Sequence, residues 1–137
     1  MIYVLEDNEE RVSRFRAVTS SVAPGMAIRV WRDAHAMIRD LTDCLGDARV
    51  ISLDHDLVRL PTDPDDPGTG YEVVQLLAKL IPCCPVIVHT SNGERGSWMI
   101  AELSRAGWAY HRVYPFGDDW IELAWAPVLR RLVVAYA

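Results

Sequence analysis

The stretch Val50-Ile51-Ser52-Leu53-Asp54-His55-Asp56 decides the fold. It opens with a short, nearly continuous apolar run and ends in two carboxylates flanking an imidazole. Such a run, with no sustained polar alternation, reads as a strand covered on both faces, the pattern of a parallel sheet. The charged groups crowded at its carboxyl end stand where open α/β sheets hold their ligands.

Working outward, the same unit repeats. Toward the N-terminus, residues 2–5 form an apolar strand, and residues 9–21 a helix with Val12, Phe15 and Val18 on one face. Residues 26–31 read as a second strand, and residues 33–45 as a helix with Ala34, Met37, Ile38 and Leu41 inward. Toward the C-terminus, residues 58–68 make a loop rich in Pro and Asp, and residues 71–81 a helix stopped by Pro82. A strand over 86–88, a helix over 94–106 and a strand over 110–113 come next. A last helix spans 118–134, with Pro127 as a break or kink. Strands alternating with amphipathic helices, joined by right-handed crossovers, predict a three-layer α/β, flavodoxin-like fold. The expected sheet is parallel and five-stranded, in order 2-1-3-4-5 with five helices, and residues 1–137 are expected to form one domain.

Composition narrows the function. Nineteen acidic against fourteen basic residues give a net charge of −5, which argues against coating duplex DNA or RNA. Lys79 is the sole lysine, so arginine must do any phosphate work. The three cysteines lack the spaced pairs of a disulfide framework or zinc site, and Cys83 and Cys84 lead into an apolar run. No apolar run approaches the roughly 20 residues that span a bilayer. Glu6 and Asp7 interrupt the first apolar stretch too early for a signal peptide, so a cytoplasmic location is expected.

With this fold, function rests on the residues at the carboxyl end of each strand. Glu6-Asp7-Asn8 come after the first, Asp54-His55-Asp56 after the third, His89-Thr90-Ser91-Asn92 after the fourth and Tyr114-Pro115-Phe116 after the fifth. An acidic pair, an Asp, a Thr and a Pro-Phe in those places resemble the receiver domain of response regulators. Gly70-Tyr71-Glu72 and Ala106-Gly107 fit the same layout. Leu5-Glu6-Asp7-Asn8, Asp54-His55-Asp56-Leu57, Gly68-Thr69-Gly70-Tyr71, His89-Thr90-Ser91-Asn92 and Gly107-Trp108 resemble more closely the offshoot called the cyclic-phosphate processing receiver domain. Ordinary receivers carry a lysine just before the Pro-Phe; here that residue is Tyr114.

The resemblance implies action on a small nucleotide or RNA end bearing a cyclic phosphate. Opening such a ring needs an acid, a base and donors around the phosphoryl oxygens. His55 and His89 are the expected acid and base, with Asp54 and Asp56 as their orienters. Thr90, Ser91 and Asn92 precede a helix start, a natural phosphate seat, although Ser91 and Glu94 also spell a capping box. Arg95 and Arg112 are the expected phosphate arms, and Trp98 is a candidate for base stacking. The loop 62–68 reads as a lid or as a solvated connection.

This reading requires no cofactor. A second reading places Mg²⁺ on Glu6, Asp7 and Asp54, with Asp54 as phosphoacceptor in signalling. A third is a silent receiver that binds a protein partner through its fourth helix, fifth strand and fifth helix. Strand alternation leaves open whether the histidines lie on the acids' side or form a pair of their own.

Overall fold

The structure is a computed structural model and describes residues 1–59, 61–62 and 65–135. Its elements run β1 (Ile2–Leu5), α1 (Glu9–Val22), β2 (Ile28–Trp31), α2 (Ala34–Cys44), β3 (Val50–Leu53), α3 (Gly70–Leu77), β4 (Val86–Val88), α4 (Gly93–Arg105), β5 (Tyr110–Arg112) and α5 (Ala126–Ala135). All the strand pairs are parallel, and the sheet order is β2-β1-β3-β4-β5, as the sequence pattern predicts.

Alternation along the strands sorts side chains into two cores. Tyr3, Leu5, Ile51, Leu53, Val86 and Val88 pack under α2, α3 and α4 with Met37, Leu41, Val74, Leu77, Met99 and Leu103. Ile2, Val4, Val50 and Ile87 face α1 and α5, meeting Phe15, Val18, Trp125 and Leu129. Each fully buried large side chain of this kind contributes about 1.5–3 kcal/mol, so both layers are well anchored. Trp108 joins the first core and donates its indole N–H to the Leu77 carbonyl at 3.0 Å.

Several boundaries differ from the sequence reading, each for a local reason. β2 begins at Ile28 because Gly25, at φ 87°, turns the chain and Met26 bonds back to Ala23. α2 ends at Cys44 in a 3-10 turn over Leu45–Asp47. Beyond Leu77, α3 tightens into bonds from Lys79 to Leu76 and Leu80 to Leu77, and Pro82 comes soon after.

The last helix starts later than expected, with a π-helical turn over Ile121–Trp125 that runs into α5. There the Ala126 N–H reaches back five residues to the Ile121 carbonyl, next to Pro127, which has no N–H to offer. Pro127 thus coincides with a widened turn and leaves the helix continuous. Part of the lid reading, at Asp63 and Pro64, lies outside the described residues, as does Leu60 in the same loop. Among the described residues no helix is long and apolar enough to cross a membrane.

Candidate functional site

Backbone register builds the site. Leu5 is paired with Leu53, and Leu53 with Val88, so the residue after each strand continues one row across the sheet. That row is Glu6, Asp54 and His89, whose N–H groups still bond to Trp31, Leu5 and Leu53 carbonyls. All three share the parity of Val4, Ser52 and Ile87, and so turn toward the α1 and α5 side. One ligand atom from each lies within 4.8 Å of the others, and all three residues are buried.

His89 is fully buried against Phe15 and stacked on Trp120, with ring centroids 5.1 and 5.8 Å away. Its Nδ1 lies 2.7 Å from the Ser52 hydroxyl, which also accepts the Trp125 indole N–H at 3.0 Å. Its Nε2 is 3.3 Å from Glu6 Oε1, yet off-line, so neither buried atom has a hydrogen-bond partner among the described residues. Buried polar atoms are usually paired, so this pair has unmet bonding capacity facing inward. The other Glu6 oxygen accepts from the Asp7 and Asn8 N–H groups at 3.1 and 3.3 Å.

The charges are uneven. Burial pushes the Asp54 carboxyl up to about 7; the His89 ring pulls against it, and the Glu6 charge adds to it. Burial acts on Glu6 in the same sense. There, the His89 ring, Arg11 and the Asn8 N–H together hold the carboxyl below its usual range. Two buried acids and an imidazole with its far nitrogen braced by Ser52 suit a divalent cation. The carboxylate oxygens fit Mg²⁺, and the imidazole extends the fit to softer first-row ions.

Replacing Ser52 with alanine leaves the Trp125 indole N–H and His89 Nδ1 without their shared partner. It is expected to cost about 1–3 kcal/mol in a urea titration and to weaken Mn²⁺ binding about 10- to 100-fold.

The next row diverges. β3 ends at Leu53 and Asp54 still continues its ladder, so alternation no longer governs His55 and Asp56. Asp7 accepts from the Val58 N–H, which ties the β3–α3 loop to β1, and burial raises its carboxyl. His55 is 6% exposed and pairs Nδ1 with Asp56 Oδ1 at 2.7 Å, while Asn92 reaches Asp56 Oδ2 at 3.3 Å. No hydrogen bond or ring contact joins His55 to His89 among the described residues. His89 lies within the row, while His55 lies beside it, its backbone N–H donating to Asp54 Oδ1 at 2.7 Å and its ring facing Asp56.

At the start of α4 the cap is Asn92, whose Oδ1 accepts from Arg95 N at 3.0 Å; Ser91 is exposed and does not form the expected capping box. Thr90 is buried and its hydroxyl accepts from Asn92 N at 3.1 Å. Removing the Asn92 side chain as alanine is expected to cost about 1 kcal/mol by thermal melt. Arg95 lies over the Trp98 ring at 4.0 Å, and Trp98 meets Tyr71 edge-on. Arg112 lies against Gly96 and points its Nη2 at the Thr90 and Asn92 carbonyls, 3.4 and 3.5 Å away. Of the remaining histidines, His35 pairs with Glu72 at 2.8 Å, and His111 is partly buried.

Sequence reasoning did not pick out Ser52, which looked like one polar interruption of a strand, or Arg11. Arg11 extends from the first turn of α1, with Nη1 3.7 Å from Glu6 Oε1 and its guanidinium 5.4 Å from the Trp120 ring. The signal for both was parity and helical spacing: Ser52 lies two residues before Asp54, and Arg11 falls on the first turn after Glu6.

A parallel 2-1-3-4-5 sheet, with acids after β1 and β3 and a buried Thr after β4, defines a receiver-type domain. The family described as the cyclic-phosphate processing receiver domain matches residues 2–105, and the chain belongs to that family. Among solved structures, it is similar to the response regulatory domain of mrkE from Klebsiella pneumoniae. That match has 14% identity and a TM-score of 0.70, covering 98% of this chain and 96% of that one. It is also similar to the response regulator domain of Thermotoga maritima CheB, at 20% identity and a TM-score of 0.67, covering 98% and 93%. A third is the signal receiver domain of a LuxO-type repressor from Vibrio parahaemolyticus, at 16% identity and a TM-score of 0.65, covering 98% and 92%. No curated protein matches the chain.

Proposed function

We propose that this domain handles a phosphoryl group at Asp54, supported by a divalent cation bound by Glu6, Asp54 and His89. The observation that carries the reading is the buried cluster in which Glu6 Oε1 and His89 Nε2 lie 3.3 Å apart, neither with a hydrogen-bond partner among the described residues. In the phosphoacceptor step, an Asp54 oxygen bonds to the phosphorus of a small donor such as acetyl phosphate. The bond from phosphorus to the acetate oxygen breaks, and acetate leaves with the electron pair. A divalent cation held by Glu6, Asp54 and His89 would keep the Asp54 carboxyl ionised and offset charge on the phosphoryl oxygens.

This differs from catalysis by a histidine pair. His89 is fully buried, with one nitrogen at Ser52 and the other at Glu6, and is better placed as a ligand than as a proton shuttle. A protein partner in signalling suits the exposed Tyr110, Tyr114, Phe116 and Leu123 beside β5 and before α5.

Cyclic-phosphate processing remains the second reading, favoured by the family match and by His55, Asp56 and Asn92 at the rim. In it, His55 serves alone as acid or base and Asp56 positions its ring.

One assay separates the two. The protein is given acetyl phosphate with Mg²⁺ or Mn²⁺ and, separately, 2′,3′-cyclic nucleotides. The lead reading expects a cation-dependent acyl phosphate that is absent in Asp54→Asn. Turnover of the cyclic nucleotide that His55→Ala abolishes and a chelator spares would replace it with the second.

A further inference from the structure

The phosphoryl reading, on which this inference rests, leaves one requirement unmet. A phosphoryl group on Asp54 brings negative charge beside Glu6 in a chain of net charge −5, and Tyr114 stands where the resemblance to receivers places a lysine. Some cation of this chain must face those oxygens.

The other arginines near the site face other groups, although Arg112 Nε is itself buried without a hydrogen-bond partner among the described residues. Arg112 is turned to the Thr90 and Asn92 carbonyls, against Gly96. Arg95 lies over Trp98. Arg14, one turn along α1, is clamped on both Glu122 oxygens.

Arg11 alone among these faces an acid of the row itself. Its guanidinium makes no hydrogen bond among the described residues, its side chain is 33% exposed, and its nearest charged partner is Glu6 at 3.7 Å. The Trp120 ring beside it limits its path without using its donors. Its backbone is fixed by the α1 cap, where Arg11 N donates to Asn8 Oδ1 at 3.0 Å. A planar fork of free donors, on a rigid helix start at the edge of the acid row, suits bidentate capture of phosphoryl oxygens.

We infer that Arg11 is the cationic arm that engages the phosphoryl group at Asp54, in place of the lysine that Tyr114 displaces. With Glu6 held by a divalent cation, the Arg11 guanidinium would turn from Glu6 to the phosphoryl oxygens. Charge compensation in this domain therefore comes from α1 instead of from the end of β5.

The test uses beryllofluoride, a mimic of an aspartyl phosphate, with Mn²⁺ and the full chain. Wild type, Arg11→Gln and Arg11→Lys are titrated, and Mn²⁺ binding alone is measured in parallel. Arg11→Gln is expected to bind beryllofluoride about 10- to 100-fold more weakly while binding Mn²⁺ at least as well as wild type. Arg11→Lys, and Tyr114→Lys added to Arg11→Gln, are expected to recover part of the loss.

Wild-type beryllofluoride affinity in Arg11→Gln overturns the assignment. So does a loss of Mn²⁺ binding in step with that of beryllofluoride, the mark of a merely structural partner for Glu6. If wild type binds Mn²⁺ but takes up no beryllofluoride, the phosphoryl reading itself fails and the Arg11 role falls with it.

Discussion

Alanine at position 70 is expected to destabilise the domain by about 3 kcal/mol or more and to lower Tm by about 10 °C. The reason is a close backbone approach. A Cβ built on Gly70 meets the Asp54 carbonyl oxygen and the His55 Cα, the former far inside the 3.0 Å limit of real Cβ contacts. Neither atom is a flexible side-chain end. Gly70 also donates its N–H to the His55 carbonyl at 3.0 Å, and Thr69 bridges Asp56, so α3 begins strapped to the residues just past β3. Relief of the clash must therefore move Asp54 itself, and cation binding should weaken together with stability. Gly93→Ala is the matched control, since nothing lies within 4 Å of its Cβ and it opens α4. Thermal melts and Mn²⁺ titrations of the two variants check this; equal behaviour would contradict it.

A second large effect is a pH dependence that cation removal uncovers. In the chelated protein, stability is expected to fall as pH rises from about 4 to about 7. The folded Asp54 carboxyl, pushed up to about 7 from 3.8 by burial, binds more protons than the unfolded chain across that window. A state that holds more protons loses ground as they become scarce, so the sign is a loss with rising pH. The full span corresponds to about 4 kcal/mol at most, less whatever the fold relaxes. Glu6 acts in the opposite sense and in a lower window, because its depressed carboxyl adds stability that is lost only as pH falls below its usual range. Asp54→Asn is expected to flatten the slope above pH 4 and to stabilise the chelated protein at pH 8. Saturating Mn²⁺ should flatten it as well, by binding the ionised form. Urea titrations across pH read all three, and an unchanged slope in Asp54→Asn would refute the assignment.

Much of this was legible in the sequence, for identifiable reasons. Short apolar strands and amphipathic helices gave the order and layers of the sheet, because burial on both faces leaves no alternation to misread. Glu6, Asp54 and His89 were each legible as the first polar residue after a strand, but the sequence reading put the metal on Glu6, Asp7 and Asp54 and left open which side His89 faces. Their shared orientation comes from Val4, Ser52 and Ile87, each two residues earlier on the α1 and α5 face.

What was not legible depends on groups far apart in the chain. Ser52 becomes a brace for His89 only because Trp125, 73 residues on, delivers its indole N–H to the same hydroxyl. Asp7 sits beside Glu6 in sequence, yet its carboxylate is taken by the Val58 N–H, and no spacing rule predicts that. Arg95 and Arg112 were expected to reach for phosphate; Arg95 lies over Trp98 on the same helix, while the contact of Arg112 with the β4–α4 turn comes from residues distant in sequence, which no spacing rule predicts. The cap at Asn92 rather than Ser91 is a shift of one residue, the ordinary uncertainty of a helix end.

The proposed site would hold a cation among Glu6, Asp54 and His89 and a phosphoryl group on Asp54. A crystal structure with Mn²⁺ and beryllofluoride, read by anomalous scattering at the manganese edge, tests it most directly. One manganese peak is expected within bonding distance of Glu6 Oε1, an Asp54 oxygen and His89 Nε2, with beryllofluoride on the other Asp54 oxygen. A peak coordinated elsewhere, or none with His89 Nε2 donating to Glu6 across a closed cluster, would contradict it.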